Sequence, residues 1–365
     1  MNRNDIIITY GSDAAKMTKA LLDAIDIESM VPDKKASIAL KPNLVVAVTA
    51  DSGATTHPEI VVAIIEYLQG KGYKNIKIVE SAWVGDSTKE GFRVNGYNQI
   101  SKTHQVPLVD VKDDTYEKKT IGKITMEVST TILSTDFLIN LPVLKGHCQT
   151  AMTCALKNMK GCLSDRSKRM FHTLGLHNPI ASLNAVRCAD LVIVDSLNGD
   201  LDFEEGGNPV RTNRMFAARD SVLCDSFGAS LMGFELEDIP YIQLAESLGV
   251  GSSDLSQANI IQLNEPNDEK PAKPTGAASY LGAHTRPDSA CSACYGNLIH
   301  ALKRLDEVNR LKDIKVPICI GQGYKEMNDP NKVGVGSCTR GLGKSLGGCP
   351  PKAIDMIAFL KELND

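Results

Sequence analysis

Lysine and histidine gather in one stretch of this chain and cysteine in another, and both sets are of types that do chemistry. Between Ile139 and His172 lie Lys145, His147, Lys157 and His172, together with Arg166, Lys168 and Arg169. An apolar run, Phe137 to Leu144, suits a buried strand that ends at Lys145-Gly146-His147. In an open α/β sheet, ligands bind in the crevice beyond the carboxyl ends of the strands. Two lysines and two histidines at such an end fit a small anionic or carbonyl ligand. An imidazole with an unperturbed pKa of about 6.5 can serve there as acid or base. The alternative is that the lysines are solvated surface and the histidines incidental.

The cysteines fall at the other end of the chain. Cys291 and Cys294 form a C-x2-C pair before a predicted helix, and Cys338 and Cys349 sit in glycine-rich loops, Cys349 being followed by Pro350. Four thiolates at loops and helix starts can surround a metal centre, because backbone N–H groups and helix N-termini favour the negative charge. A C-x2-C pair plus a cysteine before proline points to a [4Fe–4S] cluster held by Cys291, Cys294, Cys338 and Cys349. Zinc competes, although structural zinc sites usually pair two short knuckles, and free thiols are the third reading. Cys319 alternates with Ile318 and Ile320 on a predicted strand and reads as core. Cys148, Cys154, Cys162, Cys188 and Cys224 read as small buried hydrophobes.

Composition bounds these readings. With 365 residues, 42% hydrophobic and 23% charged, the chain can bury one large core and a second, smaller one. A net charge of −4 gives no reason to expect nucleic acid or an anionic membrane as partner. No apolar run is long enough for a signal peptide or a bilayer span, so a cytoplasmic protein is expected. Ten cysteines in a reducing compartment turn the question from disulfides to metal ligation.

The elements that must position these residues follow a strand–loop–helix rhythm. Strands are predicted at 5–10, 36–45, 75–80, 106–111, 137–144, 191–195, 215–219 and 259–263. Helices are predicted at 13–27, 56–70, 96–104, 149–159, 179–188, 220–232 and 241–249. Residues 166–169 read as a basic turn. This is the βαβ pattern of a mostly parallel sheet flanked by helices. Residues 264–285 read as a linker, rich in proline and charge between 264 and 278. The division expected is therefore an α/β domain over 1–263, the linker, and a small cysteine-rich, cluster-binding segment over 286–365.

The motifs KPNL (41–44), THPE (56–59), ES (80–81), NLPVLKGH (140–147), ALKNMKG (155–161), VIVDSL (192–197) and DSVLCDSFGASLMG (220–233) together resemble the DUF362 family. Its members are of undefined function and often carry iron–sulfur centres. The resemblance covers roughly residues 5–240 and implies the fold and a cluster, but no reaction. Several members have ordinary ferredoxin-type cysteine runs, whereas this chain has a sparser set. More loosely, the Lys145–Gly161 segment and the THP helix start resemble the lactate racemase family. That family holds a nickel–pincer nucleotide and uses histidines for proton transfer.

The function expected is that of a redox-linked enzyme, an oxidoreductase, in which the cysteine segment folds over a Lys/His-lined cleft. A ferredoxin-like redox partner would accompany it. Lys41, His57, Glu80 and Asp195 are expected at the same crevice. An electron carrier or assembly protein without a substrate, and a zinc-stabilised binding protein, are the alternatives. Neither a GxGxxG nor a GxxxxGK[ST] run is present, so dinucleotide and P-loop binding have no motif support.

Overall fold

The computed structural model describes residues 1–266 and 277–363. Its main sheet is built from β1 (Asp5–Tyr10), β2 (Ile38–Pro42), β3 (Ile76–Glu80), β4 (Leu108–Asp110), β5 (Phe137–Leu141), β6 (Leu191–Asp200), β7 (Pro209–Ala218) and β8 (Asn259–Gln262). Across the sheet the order is β8-β1-β7-β6-β5-β2-β3-β4. Only β7 runs antiparallel to its neighbours. From β2 the chain steps outward to β3 and β4, then returns to the other side of β2 for β5 and β6. The order therefore reverses between β2 and β5, and there the strand ends leave a crevice.

Alternation along each strand sends side chains to opposite faces, and helices cover both. One face buries Ile7, Ile38, Leu40, Ile78, Ile139 and Ile193 against helices that include Ala14–Ile25 and Pro58–Gly70. The other buries Ile8, Ala39, Val79, Leu138, Val192 and Phe216 against helices that include His177–Val186 and Ser221–Met232. The α/β architecture expected from the sequence is thus present. Among the described residues, no helix is long and apolar enough to cross a membrane.

Two local expectations do not hold. Residues 149–159 are not one helix: Lys145–His147 and Ala151–Thr153 form an antiparallel hairpin, and the helix starts only at Ala155. His147 Nδ1 accepts the N–H groups of Gln149 and Thr150, both at 3.0 Å, which closes the turn. Ala151 has φ of +61°. The Asp225 carboxylate then accepts from Ala155 N at 2.7 Å and from Leu156 N, supplying the start signal from a distant helix. Residues 166–169 are not a turn but part of a helix, Asp165–Thr173, capped by Ser164.

The C-terminal part has its own four-stranded parallel sheet, β9 (Thr285–Pro287), β10 (Ile318–Ile320), β11 (Asp329–Val335) and β12 (Leu342–Leu346). Helices Ser292–Glu307 and Ala353–Glu362 pack with it. Of the expected linker, residues 267–276 lie outside the described residues. A helix at Ala277–Gly282 follows, and Leu281 already belongs to the C-terminal core. That core also takes in Phe203, which comes from the loop after β6 and meets His300 edge-on at 5.8 Å. Truncating a buried phenylalanine costs about 3–5 kcal/mol. Phe203→Ala should therefore raise amide hydrogen exchange across 281–363 well above that of β2, β5 and β6. An equal rise everywhere would show that Phe203 does not hold this part locally.

Candidate functional site

Glu204, four residues past the end of β6 and beside Phe203, draws the predicted lysines and histidines together. Its carboxylate accepts from Lys157 Nζ at 2.5 Å and lies 3.1 Å from His147 Nε2. Its backbone carbonyl accepts from Lys145 Nζ at 2.8 Å, and the same ammonium donates to the Ala54 carbonyl at 2.5 Å. All four side chains are buried. Burial works to raise the Glu204 carboxyl, but His147 and Lys157 outweigh it and hold it well below the usual range. Burial pushes Lys145 down to about 7 and His147 down to about 4. With Nδ1 occupied by two backbone donors, His147 is neutral and carries its proton on Nε2. Its contact with Glu204 is therefore a hydrogen bond and not an ion pair.

A cavity of about 210 Å³ opens beyond the ends of β2 and β3. Lys157 and His172 line it; Lys145 and His147 do not. This corrects the expectation that Lys145, Lys157 and a histidine face one cavity together. Lys145 is turned beneath the 200–205 loop, where carbonyls hold it, and His147 is covered by Ser292 and Glu204.

Sequence reasoning passed over Lys160, Glu204 and the cavity-facing roles of Lys168 and Arg169. The DFEE run after β6 carried the only signal for Glu204, as an acidic, glycine-rich loop. Lys160 follows Lys157 by three, the spacing of one helical face. Lys160 Nζ lies 3.2 Å from His172 Nε2, while His172 Nδ1 is buried without a hydrogen-bond partner. Burial, then the Lys157 charge, pushes Lys160 down to about 7; burial, then Lys160, drives His172 well below its ordinary value. Lys168 donates to Ser81 Oγ at 2.5 Å and to the Ala82 carbonyl at 2.7 Å, and burial lowers it to about 8.

Beneath the cavity Lys41 and Glu80 form a buried ion pair at 2.8 Å across β2 and β3. Gly161 lies hard against this pair: a Cβ at that position would stand 1.8 Å from Glu80 Oε1 and 2.7 Å from Lys41 Nζ, so the paired side-chain ends would have to move. Gly146 is required, since a Cβ would meet the Leu201 carbonyl oxygen at 2.0 Å. Glu80 lines the cavity, but His57 and Asp195, expected at the same crevice, do not. His57 Nδ1 meets Asp195 at 2.8 Å beside a different, surface cavity that Asp51, Glu59 and Arg211 also line.

The four expected ligand cysteines come from three chain segments. Cys291 precedes the helix Ser292–Glu307 and Cys294 lies in its first turn. Cys338 sits in the turn Ser337–Thr339, and Cys349 in the loop before the last helix. Ser337 N donates to the Gly348 carbonyl at 2.8 Å and Gly348 N to Ser337 Oγ at 3.1 Å, so the last two loops are stapled together. Asn297 Nδ2 donates to the Pro351 carbonyl at 3.0 Å, which ties them to the helix. Burial raises the Cys294 thiol, and Cys291, Cys349 and Cys338, all close enough to act on it, raise it further. Cys291, Cys294 and Cys349 line the same cavity as Lys157 and Lys160. The one compact group of possible ligands among the described residues is elsewhere: Cys154, Cys224 and Asp225, buried in the core. There Asp225 already serves as the cap of the Ala155 helix. Cys148 packs on the C-terminal core beside Cys294, and Cys319 is buried on β10.

A family model described as a domain of unknown function, DUF362, matches residues 38–230, more than half of the chain. A thylakoid-associated protein of Synechocystis sp. is 25% identical over 231 residues, covering 58% of this chain and 68% of that protein. The lactate racemase apoprotein from Thermoanaerobacterium thermosaccharolyticum superimposes with a TM-score of 0.41 at 13% identity. The match covers 62% of this chain and 57% of the racemase.

Two measurements check the electrostatics. Breaking a buried ion pair by removing one partner costs about 3–5 kcal/mol, so Glu80→Gln should lower stability in denaturant titration by that order. A loss within about 0.5 kcal/mol would show that Lys41 finds another partner. The second measurement concerns His57. Burial opposes its charge, but the Asp195 carboxylate raises it above 6.5. A histidine raised on folding contributes stability in full below about 6.5, and loses it as pH rises through the folded value. Wild type should therefore lose about 1–2 °C more in melting temperature between pH 6 and pH 9 than His57→Gln does.

Proposed function

The chain belongs to the DUF362 family, and from that premise we propose that it is an iron–sulfur protein whose cluster stands at one wall of a small-molecule cavity. One observation carries the reading: Cys291, Cys294 and Cys349 share a cavity with Lys157, Lys160 and His172. Cys338, stapled beside Cys349, completes a set of four. The chemistry of the donor set suits a [4Fe–4S] cluster. Glycine-bearing loops and a helix N-terminus surround the thiols, which favours thiolate charge, and a C-x2-C pair with a cysteine before proline is the pattern of cluster ligands.

Bound there, the cluster would supply one-electron transfer. The protein's own residues then have distinct tasks. The Lys157–Glu204 pair fixes the cavity wall. Lys160 and His172 bind a small anionic or carbonyl substrate and hold a proton beside it. The activity is thus read as that of an oxidoreductase. Cys349 is exposed, which supports electron exchange with a ferredoxin-like partner at that edge. A carrier without a substrate would have the same edge but no use for the lysines and histidine behind it. A reducing, cytoplasmic setting belongs to the same reading, because it keeps the thiols available.

Anaerobic purification with metal and sulfide analysis tests this. About four iron and four sulfide per chain, with absorption near ~400 nm, are expected. Changing Cys291, Cys294, Cys338 or Cys349 singly to Ser should lower the iron content, whereas Cys188→Ser should not. Wild-type iron in all four variants, or zinc in place of iron, would overturn the ligand assignment.

A further inference from the structure

The cations of the cavity are not equivalent. Lys157 is neutralised by Glu204, and Lys168 is held by Ser81, the Ala82 carbonyl and, at 3.6 Å, Asp165. Lys160 and Arg169 are different: among the described residues neither has a carboxylate within 4.0 Å, and the one hydrogen-bond partner of Lys160 is His172. Arg169 and His172 are three apart on the helix Asp165–Thr173, so they share a face. Lys160 meets His172 at 3.2 Å. Among the described residues, one wall of the cavity therefore carries a lysine and an arginine without counter-ions, beside the His172 imidazole.

Another part of the lining is apolar, formed by Val45, Val84 and Trp83, the chain's single tryptophan. The indole lies against Gly85, where a Cβ would stand 2.0 Å from Trp83 Cη2. The ring thus packs against this turn, and Trp83 is half-buried in the cavity lining. A flat apolar surface and a cationic wall within about 210 Å³ set both the size and the polarity of what fits.

We propose that this cavity takes a small ligand with a flat apolar body, which packs on Trp83, and a single oxyanion head, which is held by Lys160 and Arg169, with His172 positioning Lys160. An aromatic carboxylate is the simplest example, and an aromatic phosphate shares its chemistry. Arginine can grip either head through two parallel hydrogen bonds, and the Lys160 Nζ supplies a further donor. The proposal rests on reading the cavity as a substrate site, but not on the identity of the metal beside it.

Trp83 supplies its own readout. The full chain, as purified anaerobically, is titrated with benzoate, phenyl phosphate, acetate and benzyl alcohol. Tryptophan emission and calorimetry are followed together. Benzoate or phenyl phosphate should give a saturable change in emission, and the tighter head is the one the site is built for. Acetate and benzyl alcohol, each lacking one half of the ligand, should bind about tenfold more weakly or worse. Lys160→Gln and Arg169→Gln should each weaken the oxyanion ligand by about tenfold with iron content unchanged. Arg169 is exposed, so its variant keeps the fold if the other does not. Trp83→Leu, read by calorimetry, should weaken benzoate more than acetate. Equal affinity for benzyl alcohol and benzoate, or an unaltered affinity in Arg169→Gln, would overturn the proposal, as would no saturable binding of either aromatic anion. Oxyanion binding without iron would sink the cluster reading and leave this one standing; iron without binding would do the reverse.

Discussion

The arrangement depends on one buried carboxylate. Glu204 is removed from water, which for an unpaired charge is strongly unfavourable. It stays ionised because the Lys157 ammonium and the His147 N–H converge on its two oxygens. Its own carbonyl, with that of Ala54, takes the Lys145 ammonium. Each of these groups alone would be an expensive tenant of the interior; together they satisfy one another, in a low dielectric where removing one partner costs several kcal/mol. The neighbouring Glu205 shows the limit of that compensation. Among the described residues no cation pairs with its side chain, and burial with the Glu204 charge raises its carboxyl to about 8. The two neighbouring carboxyls are thus pushed in opposite directions.

Close packing of charged groups requires places where no side chain intervenes. Gly146 lets the 145–147 strand lie against the Leu201 carbonyl, and so lets Lys145 pass under the loop that bears Glu204. Gly161 does the same for Lys41 and Glu80 at the foot of the cavity. The asparagines of the same motifs complete the polar lattice. Asn140 Nδ2 donates to the Ala155 carbonyl at 2.9 Å, and Asn158 Nδ2 donates to Asn140 Oδ1 at 2.7 Å. The NLPVLKGH and ALKNMKG motifs are therefore one structural unit, in which lysine, asparagine and glycine answer to one another across the strand ends.

The sheet was legible in the sequence because its strands are apolar runs separated by helices with one greasy face. The positions of β1, β2, β3, β5 and β6 need nothing beyond periodicity. The hairpin at 145–153 was not legible. Met152, Ala155, Leu156 and Met159 fall at helical spacing, and what prevents a helix before Ala155 is tertiary: the His147 ring taking two N–H groups, and Asp225 arriving from a distant helix. Glu204 was hidden for the same reason. An acid in a glycine-rich loop looks solvated until the lysines that surround it are known to be there. Lys157 and His172 line the cavity, while Lys145 and His147 lie close by but on the other side of the loop.

His147 shows how the two parts of the molecule are joined. Its Nδ1 is committed to the Gln149 and Thr150 N–H groups, and its Nε2–H is shared between Glu204 Oε1 and Ser292 Oγ, both at 3.1 Å. Ser292 Oγ in turn donates to Gln149 Oε1 at 2.9 Å, and Gln149 Nε2 donates to the Ala290 carbonyl at 3.0 Å. The turn that follows β5 thus grips the Cys291–Cys294 turn from two sides. Phe203, adjacent to Glu204, enters the C-terminal core from the same loop. The cysteine turn cannot shift without disturbing the hydrogen bonds of an imidazole that helps keep Glu204 ionised, and Glu204 holds Lys157 at the cavity wall. The wall bearing thiols and the wall bearing lysines are consequently parts of one polar network and not two surfaces that merely face each other.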